Sequence, residues 1–230
     1  MPIIRKLIAE FIGTFVLVFS ATAPIVIDAQ TASVGILGIA FSPAIGVGLM
    51  VYAFAKTSGA HFNPAVSLGF LFNRSITSKE FLLYLAVQII GGILASILVL
   101  YTVGADAYLG INLPSNDIGI AEIFLVEILL TFLLMSVILA VAHTRGLWGF
   151  GGTAIGLIVG LDILFGGHIS GASMNPARSL APALVSGNFE SLWIYWTATF
   201  IGAVISVFAY KIIKDRNNIY QRKRHVTKFK

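Results

Sequence analysis

An eleven-residue motif that occurs twice constrains the fold of this chain more than any other feature of its sequence. Residues 58–68 are SGAHFNPAVSL and residues 170–180 are SGASMNPARSL, which agree at eight of eleven positions at a spacing of 112 residues. Chance similarity between apolar segments does not explain so many matches in a polar motif. The sequence therefore indicates an internal repeat.

The repeat extends well beyond this motif. The segment AEFIGTFVLVF from residue 9 aligns with VEILLTFLLMS from residue 126, which pairs Glu10 with Glu127. We place repeat one at about 1–103 and repeat two at about 118–213 of a single domain that covers 1–230.

The composition indicates that the solvent around this chain is a lipid bilayer. Of its residues, 57% are hydrophobic and 11% are charged, against about 25% charged in a typical soluble domain. Six apolar runs are near or above the roughly 20 residues that cross a bilayer. These runs are 7–27, 34–55, 81–103, 118–142, 148–167 (rich in glycine and containing Asp162) and 192–213.

The distribution of basic residues predicts the orientation of these spans. An even number of spans leaves both termini on one side, and fourteen of the fifteen Lys and Arg residues then share that side, including those of a basic tail at 214–230. Cytoplasmic loops carry such an excess, so we expect a multi-pass cell-membrane protein with both termini cytoplasmic. Each repeat holds three spans, so the second copy is inverted relative to the first.

The two Asn-Pro-Ala segments predict a pair of half-helices. Asn is favoured at a helix N-cap and Pro at the first helical position, and the apolar stretch after each is too short to span. The two N-termini, each with about half a positive charge, would meet near the midplane and repel cations and protons. The residues concerned are Asn63, Pro64, Ala65, Asn175, Pro176 and Ala177.

Paired Asn-Pro-Ala motifs, with Arg178 following the second, resemble those of an aquaporin of the major intrinsic protein family over nearly the whole chain. The resemblance implies an all-α bundle of six membrane helices and two re-entrant half-helices, assembled as a homotetramer with one pore per subunit. It implies that Glu10 and Glu127 are buried acceptors that brace the loops. The backbone carbonyls that it assigns to the pore belong to Gly59, Ala60, His61, Gly171, Ala172 and Ser173.

The same resemblance assigns a selectivity filter to Pro43, Ile163, Ala172 and Arg178, with Phe41 as a possible replacement at the first position. A strict water channel would have an aromatic residue at the first position and histidine at the second. This filter is therefore expected to be wider and less polar. Markers of the water-channel branch are nevertheless present, at Ser179, Ala183, Tyr195 and Trp196.

We therefore expect a passive water channel that excludes ions and protons and also passes small neutral solutes. The alternatives are a channel for glycerol, other small neutral solutes or gases, and, less favoured, an alternating-access transporter or an intramembrane serine protease. We expect no enzymatic activity, cofactor, metal or nucleic-acid partner. Asp162 stays open between a contact to a loop amide, a water-mediated contact to Arg178 and a role in helix packing.

Overall fold

The computed structural model describes the backbone of residues 1–227 and their side chains apart from those of 145, 148 and 215–227. Six of its helices are long and apolar enough to cross a membrane, and two are short. In chain order they are α1 (Ile3–Thr31), α2 (Gly35–Ser58), α3 (Pro64–Phe72), α4 (Ser78–Thr102), α5 (Ile120–His143), α6 (Gly151–Ser170), α7 (Pro176–Ser186) and α8 (Leu192–Thr227).

The predicted fold class, six spanning helices with two half-helices, is confirmed. The first helix, Ile3–Thr31, extends four residues beyond each end of its predicted span 7–27. The fifth span is shifted by three residues, because Arg145–Phe150 forms a separate 3₁₀ helix and α6 starts only at Gly151. The backbone of the predicted tail continues α8 as far as Thr227, while its side chains from 215 onward lie outside the described residues.

The helices pack in the pattern that an inverted repeat requires. Helix α1 packs against α4, and its counterpart α5 packs against α8. The half-helices exchange partners, since α3 contacts α8 of the second repeat and α7 contacts α4 of the first. The repeats therefore interlock, and neither could complete its own packing without the other.

Glycines allow α2 and α6 to cross closely between the repeats. A Cβ atom at Gly48 would lie 2.9 Å from the carbonyl oxygen of Gly152, and one at Gly156 would collide with the carbonyl oxygen of Ala44. Membrane helices associate through such small residues because lipid supplies no hydrophobic force between them. This crossing sets the rotation of both helices about their axes.

A left-handed turn at Asp106–Gly110 lies in the connection between the repeats. Ala107, Tyr108 and Leu109 have φ angles of 46°, 48° and 61°, and Leu109 is buried against α1 and α4. The turn brings the segment that follows it, 110–113, to one end of the bundle next to α7.

Candidate functional site

Each half-helix is capped by the asparagine of its motif. The Asn63 Oδ1 atom accepts a hydrogen bond from the Ala65 backbone N–H at 2.8 Å, and Asn175 Oδ1 accepts from the Ala177 N–H at 3.0 Å. Both asparagines have extended backbones, and proline occupies the first helical turn in each case. The half-helices thus begin where the sequence predicted.

The two motifs also bond to each other across the middle of the bundle. The Asn63 side-chain amide donates to the Met174 carbonyl at 2.7 Å, and the Asn175 amide donates to the Phe62 carbonyl at 3.0 Å. An asparagine amide has two N–H groups, so each keeps one outside these bonds. Both asparagines line the same cavity.

Both loops before the half-helices have strained backbones. Ala60 and Phe62 have φ angles of 53° and 50°, and Ala172 and Met174 repeat this at 45° and 55°. Left-handed conformations cost non-glycine residues about 1–3 kcal/mol each and persist only where surrounding contacts enforce them.

Glu10 supplies these contacts for the first loop. Its carboxylate accepts hydrogen bonds from Ser58 Oγ at 2.6 Å, from the backbone N–H groups of His61 at 3.0 Å and Phe62 at 2.6 Å, and from Gln88 Nε2 at 2.9 Å. The Glu10 side chain is fully buried. It therefore holds the loop from a helix of the same repeat.

Glu127 occupies the equivalent place in the second repeat. It accepts from Ser170 Oγ at 2.7 Å and from the backbone N–H groups of Ser173 at 2.8 Å and Met174 at 3.1 Å, and it is also fully buried. The two glutamates, distant in sequence, thus each accept from one serine hydroxyl and two backbone N–H groups, and Glu10 accepts in addition from Gln88.

A central cavity of about 50 Å³ runs past the two asparagines. Since one water needs roughly 10–15 Å³ of such space, the cavity has room for a few water-sized molecules. Its lining consists of positions paired by the repeat, together with Met174. The pairs are Leu17 and Leu134, Ala21 and Ile138, Pro43 and Ile155, Val47 and Val159, Val51 and Ile163, Ala60 and Ala172, His61 and Ser173, Asn63 and Asn175, and Val66 and Arg178.

A wider mouth cavity of about 290 Å³ adjoins the central cavity and is lined mainly by apolar side chains, with His168 among its polar ones. The two cavities have four lining residues in common: Ala21, Ile163, Ala172 and Arg178. We call these four residues the Arg178 ring. The ring borders both cavities.

The ring contains three of the four residues predicted for the filter, and its fourth member is Ala21 where the prediction had Pro43. Pro43 lines the central cavity without reaching the mouth cavity, and Ala21 of α1 takes the remaining place. Phe41 does not fill it, because its side chain is 47% exposed and borders an outer groove between α2 and α6. The expectation for Phe41 is therefore wrong in this structure.

The two repeated motifs do not indicate Ala21, but the spacing of residues in the first span does. Leu17 and Ala21 follow Glu10 by seven and eleven residues, which places all three on one face of a helix. A helix that buries Glu10 against the first loop therefore turns Leu17 and Ala21 toward the central cavity.

Arg178 is buried, with 5% of its surface exposed, and its guanidinium is held by three acceptors. It donates to the carbonyl oxygen of Gly110 at 2.8 Å, to Asn112 Oδ1 at 3.1 Å and to the carbonyl oxygen of Ala21 at 3.4 Å. The arginine thus forms part of the wall and does not extend toward the bilayer surface. Sequence reasoning missed Gly110 and Asn112.

The predicted pore carbonyls differ in their surroundings. Ala60, His61, Ala172 and Ser173 line the central cavity. The Gly171 carbonyl accepts a hydrogen bond from Asn112 Nδ2 at 2.7 Å and Gly171 lines the mouth cavity, whereas Gly59 forms the exposed C-cap of α2.

Asp162 is a buried residue of α6, 3% exposed. Its Oδ2 atom has no hydrogen-bond partner among the described residues, so the structure supplies no contact to a loop amide for this atom. Of the branch markers, Tyr195 donates to the Ser170 carbonyl at 2.6 Å, and Ser179 donates to Asn112 Oδ1 at 2.7 Å.

Comparison with known proteins agrees with this geometry. The profile of the family described as "Major intrinsic protein" matches residues 1–210. The chain belongs to the major intrinsic protein family. The predicted resemblance is thereby confirmed, and the chain is a multi-pass membrane protein of a channel family.

Curated members of the family cover most of the chain. "Aquaporin NIP3-1" of Arabidopsis thaliana is 39% identical over an alignment of 228 residues that covers 94% of this chain and 70% of that protein. "Glycerol uptake facilitator protein-like 6" of Lactiplantibacillus plantarum is 40% identical over 215 residues, 91% of this chain and 98% of that protein. The aquaglyceroporin from Plasmodium falciparum is a similar solved structure, with a TM-score of 0.80, 25% identity and coverage of 91% of this chain and 96% of that one.

Proposed function

We propose that this chain is a passive channel for water and other small neutral solutes that excludes ions and protons. The observation that carries the proposal is the Arg178 ring, in which one buried guanidinium faces apolar or small side chains between two cavities. A fixed cation and two half-helix N-termini aimed at the midplane repel cations and protons. Neutral solutes do not experience this barrier.

The composition of the ring favours solutes larger than water as additional permeants. Ala21 and Ala172 are small, and Ile163 lacks the N–H donor that a histidine would offer. The apolar side accommodates carbon–hydrogen groups, while Arg178 and the free amide hydrogens of the asparagines donate to hydroxyl oxygens. The name of the Lactiplantibacillus plantarum relative, a glycerol uptake facilitator-like protein, supports glycerol as the first solute to test.

The finer points of assembly and orientation belong to the same proposal. The excess of basic residues on the side of the termini supports an orientation with the Arg178 ring toward the outer face and both termini in the cytoplasm. By its resemblance to the family, the chain forms a homotetramer with one channel per subunit. It needs no enzymatic activity, cofactor or metal for this function.

Permeation assays on reconstituted protein test the proposal. Under an osmotic gradient, proteoliposomes should shrink faster than empty liposomes and then re-swell with glycerol, with flux proportional to the gradient and a weak dependence on temperature. Flux that saturates or depends on sodium or protons would favour an alternating-access transporter. Rates equal to those of empty liposomes, with insertion verified, would contradict a channel.

A further inference from the structure

Asn112 lies in the connection between the repeats and is 4% exposed. Its Oδ1 atom accepts hydrogen bonds from Arg178 at 3.1 Å and from Ser179 Oγ at 2.7 Å. Its Nδ2 atom donates to the Gly171 carbonyl at 2.7 Å. One amide thus joins both ends of the second motif.

The first repeat satisfies its equivalent serine in a different way. Ser67, the counterpart of Ser179, accepts a hydrogen bond from Nε2 of Gln88, an amide of helix α4, at 3.0 Å. The tyrosines that bond the two loops, Tyr84 to Ser58 and Tyr195 to Ser170, fix the correspondence between α4 and α8.

Tyr195 follows Tyr84 by 111 residues, and the same offset from Gln88 leads to Thr199. The Thr199 hydroxyl donates to the carbonyl of Tyr195 within its own helix at 2.6 Å. The second repeat therefore lacks a helix amide at this place, and Asn112 supplies one from outside both repeats.

This replacement occurs in the one motif that carries an arginine. Where the second motif has Arg178, the first has Val66, which needs no acceptor. Asn112 contributes one of the three acceptors of Arg178 directly. Through its bond to Gly171 it also secures the segment that carries a second acceptor, the carbonyl of Gly110.

We infer that Asn112 is the positioning residue of the Arg178 ring: it holds the guanidinium against the wall and thereby keeps the ring closed to cations and open to neutral solutes. This inference rests on the proposed channel function. Without the amide, Arg178 loses one acceptor and the Gly110 carbonyl loses its support, so the positive charge leaves its place in the ring.

Three variants, each reconstituted as the full chain, test the inference. Asn112→Ala removes all three hydrogen bonds. Asn112→Asp keeps oxygens for Arg178 and Ser179 and removes only the donor to Gly171. Asn116→Ala is the matched control, since Asn116 is an exposed asparagine of the same connection. Cation and proton leak is measured with a pH-sensitive dye, beside water and glycerol flux.

We expect the cation and proton leak to rise about tenfold in Asn112→Ala, because a hydrogen bond to a charged group contributes about tenfold or more to an equilibrium constant. Water flux should change little. Asn112→Asp should leak less than Asn112→Ala, because it loses the support of Gly110 but keeps the direct acceptor for Arg178, and Asn116→Ala should leak as the parent does. An unchanged leak in Asn112→Ala, or an equal rise in Asn112→Asp, would overturn the inference. If Asn112→Ala does not assemble, Asn112→Ser, whose hydroxyl is too short to reach Arg178, should leak in its place.

A double-mutant cycle separates positioning from general support of the fold. In an Arg178→Ala background, Asn112→Ala should add no further leak, and the effects of the two changes on thermal unfolding should be non-additive. Additive effects in both measurements would mean that Asn112 does not act through Arg178. The unfolding cycle decides this even if the parent conducts no solute, a result that would contradict only the channel function.

Discussion

At the scale of single residues, the Arg178 ring contains one side chain whose replacement changes both width and polarity. Ile163 is branched and apolar, and it lines both cavities. A histidine there would add a planar ring and an N–H donor. The ring would then hold a solute by hydrogen bonds on two sides and leave less room for carbon–hydrogen groups.

We expect Ile163→His to reduce glycerol flux by a larger factor than water flux, which is measured by osmotic shrinkage and re-swelling of proteoliposomes. Phe41→His is the matched control, because residue 41 faces the outer groove, and it should alter neither flux. A parent channel that already excludes glycerol completely would show that the ring is narrower than proposed.

At the scale of elements, each half-helix depends on one buried glutamate. The strained loop at Gly59–Asn63 has two consecutive backbone N–H groups, of His61 and Phe62, whose acceptor is Glu10. Buried donors left without an acceptor cost about 1–3 kcal/mol each. The loop geometry is therefore maintained by α1 and not by the local sequence of the loop.

Glu10→Leu leaves four donors without their acceptor, so we expect a loss of several kcal/mol of stability, at about 1–3 kcal/mol per donor, visible as a lower unfolding temperature in detergent. Glu122→Leu, at an exposed position of α5, should unfold close to the parent. Equal unfolding temperatures for the two variants would contradict the bracing role.

The crossing of α2 and α6 gives a second prediction for an element. In an isolated helix Gly→Ala stabilises by about 1 kcal/mol, but the Cβ of Gly156→Ala collides with the Ala44 carbonyl oxygen. Overpacking of this kind costs about 1–3 kcal/mol, so we expect a lower unfolding temperature. Gly146→Ala, whose Cβ meets no atom of the described part of the chain within 4 Å, should be neutral, and a neutral Gly156→Ala would contradict the close crossing.

At the scale of the whole molecule, the charge distribution predicts that the connection between the repeats lies outside the cell. The chain contains no cysteine, so a single introduced thiol is an unambiguous label. Asn116, in that connection, and Lys79, at the start of α4, are both exposed. They lie on opposite sides of the predicted membrane.

A membrane-impermeant maleimide should label Asn116→Cys in intact cells and Lys79→Cys only after the membrane is opened. The reason is the excess of basic side chains retained on the cytoplasmic side. The unmodified chain serves as the blank. The reverse labelling pattern would invert the proposed topology and place the Arg178 ring at the cytoplasmic face.

The sequence by itself determined the spans, the inverted repeat and both half-helix starts, because these depend on local properties. Three features of the sequence do not depend on how the chain packs. They are the apolar runs of membrane length, Asn-Pro at each half-helix start and the match between Glu10 and Glu127. The nine lining pairs were also implicit in the repeat, since residues related by it face the same axis.

Only the tertiary structure decided which side chains complete the Arg178 ring. The rotation of α2 depends on its crossing with α6 at Gly48 and Gly156, and this rotation turns Phe41 outward and leaves the place to Ala21. Asn112 has no local signature, since its partners are about 60 residues or more away in sequence. Contacts between distant segments arise from packing, so a pattern within a single segment does not predict them.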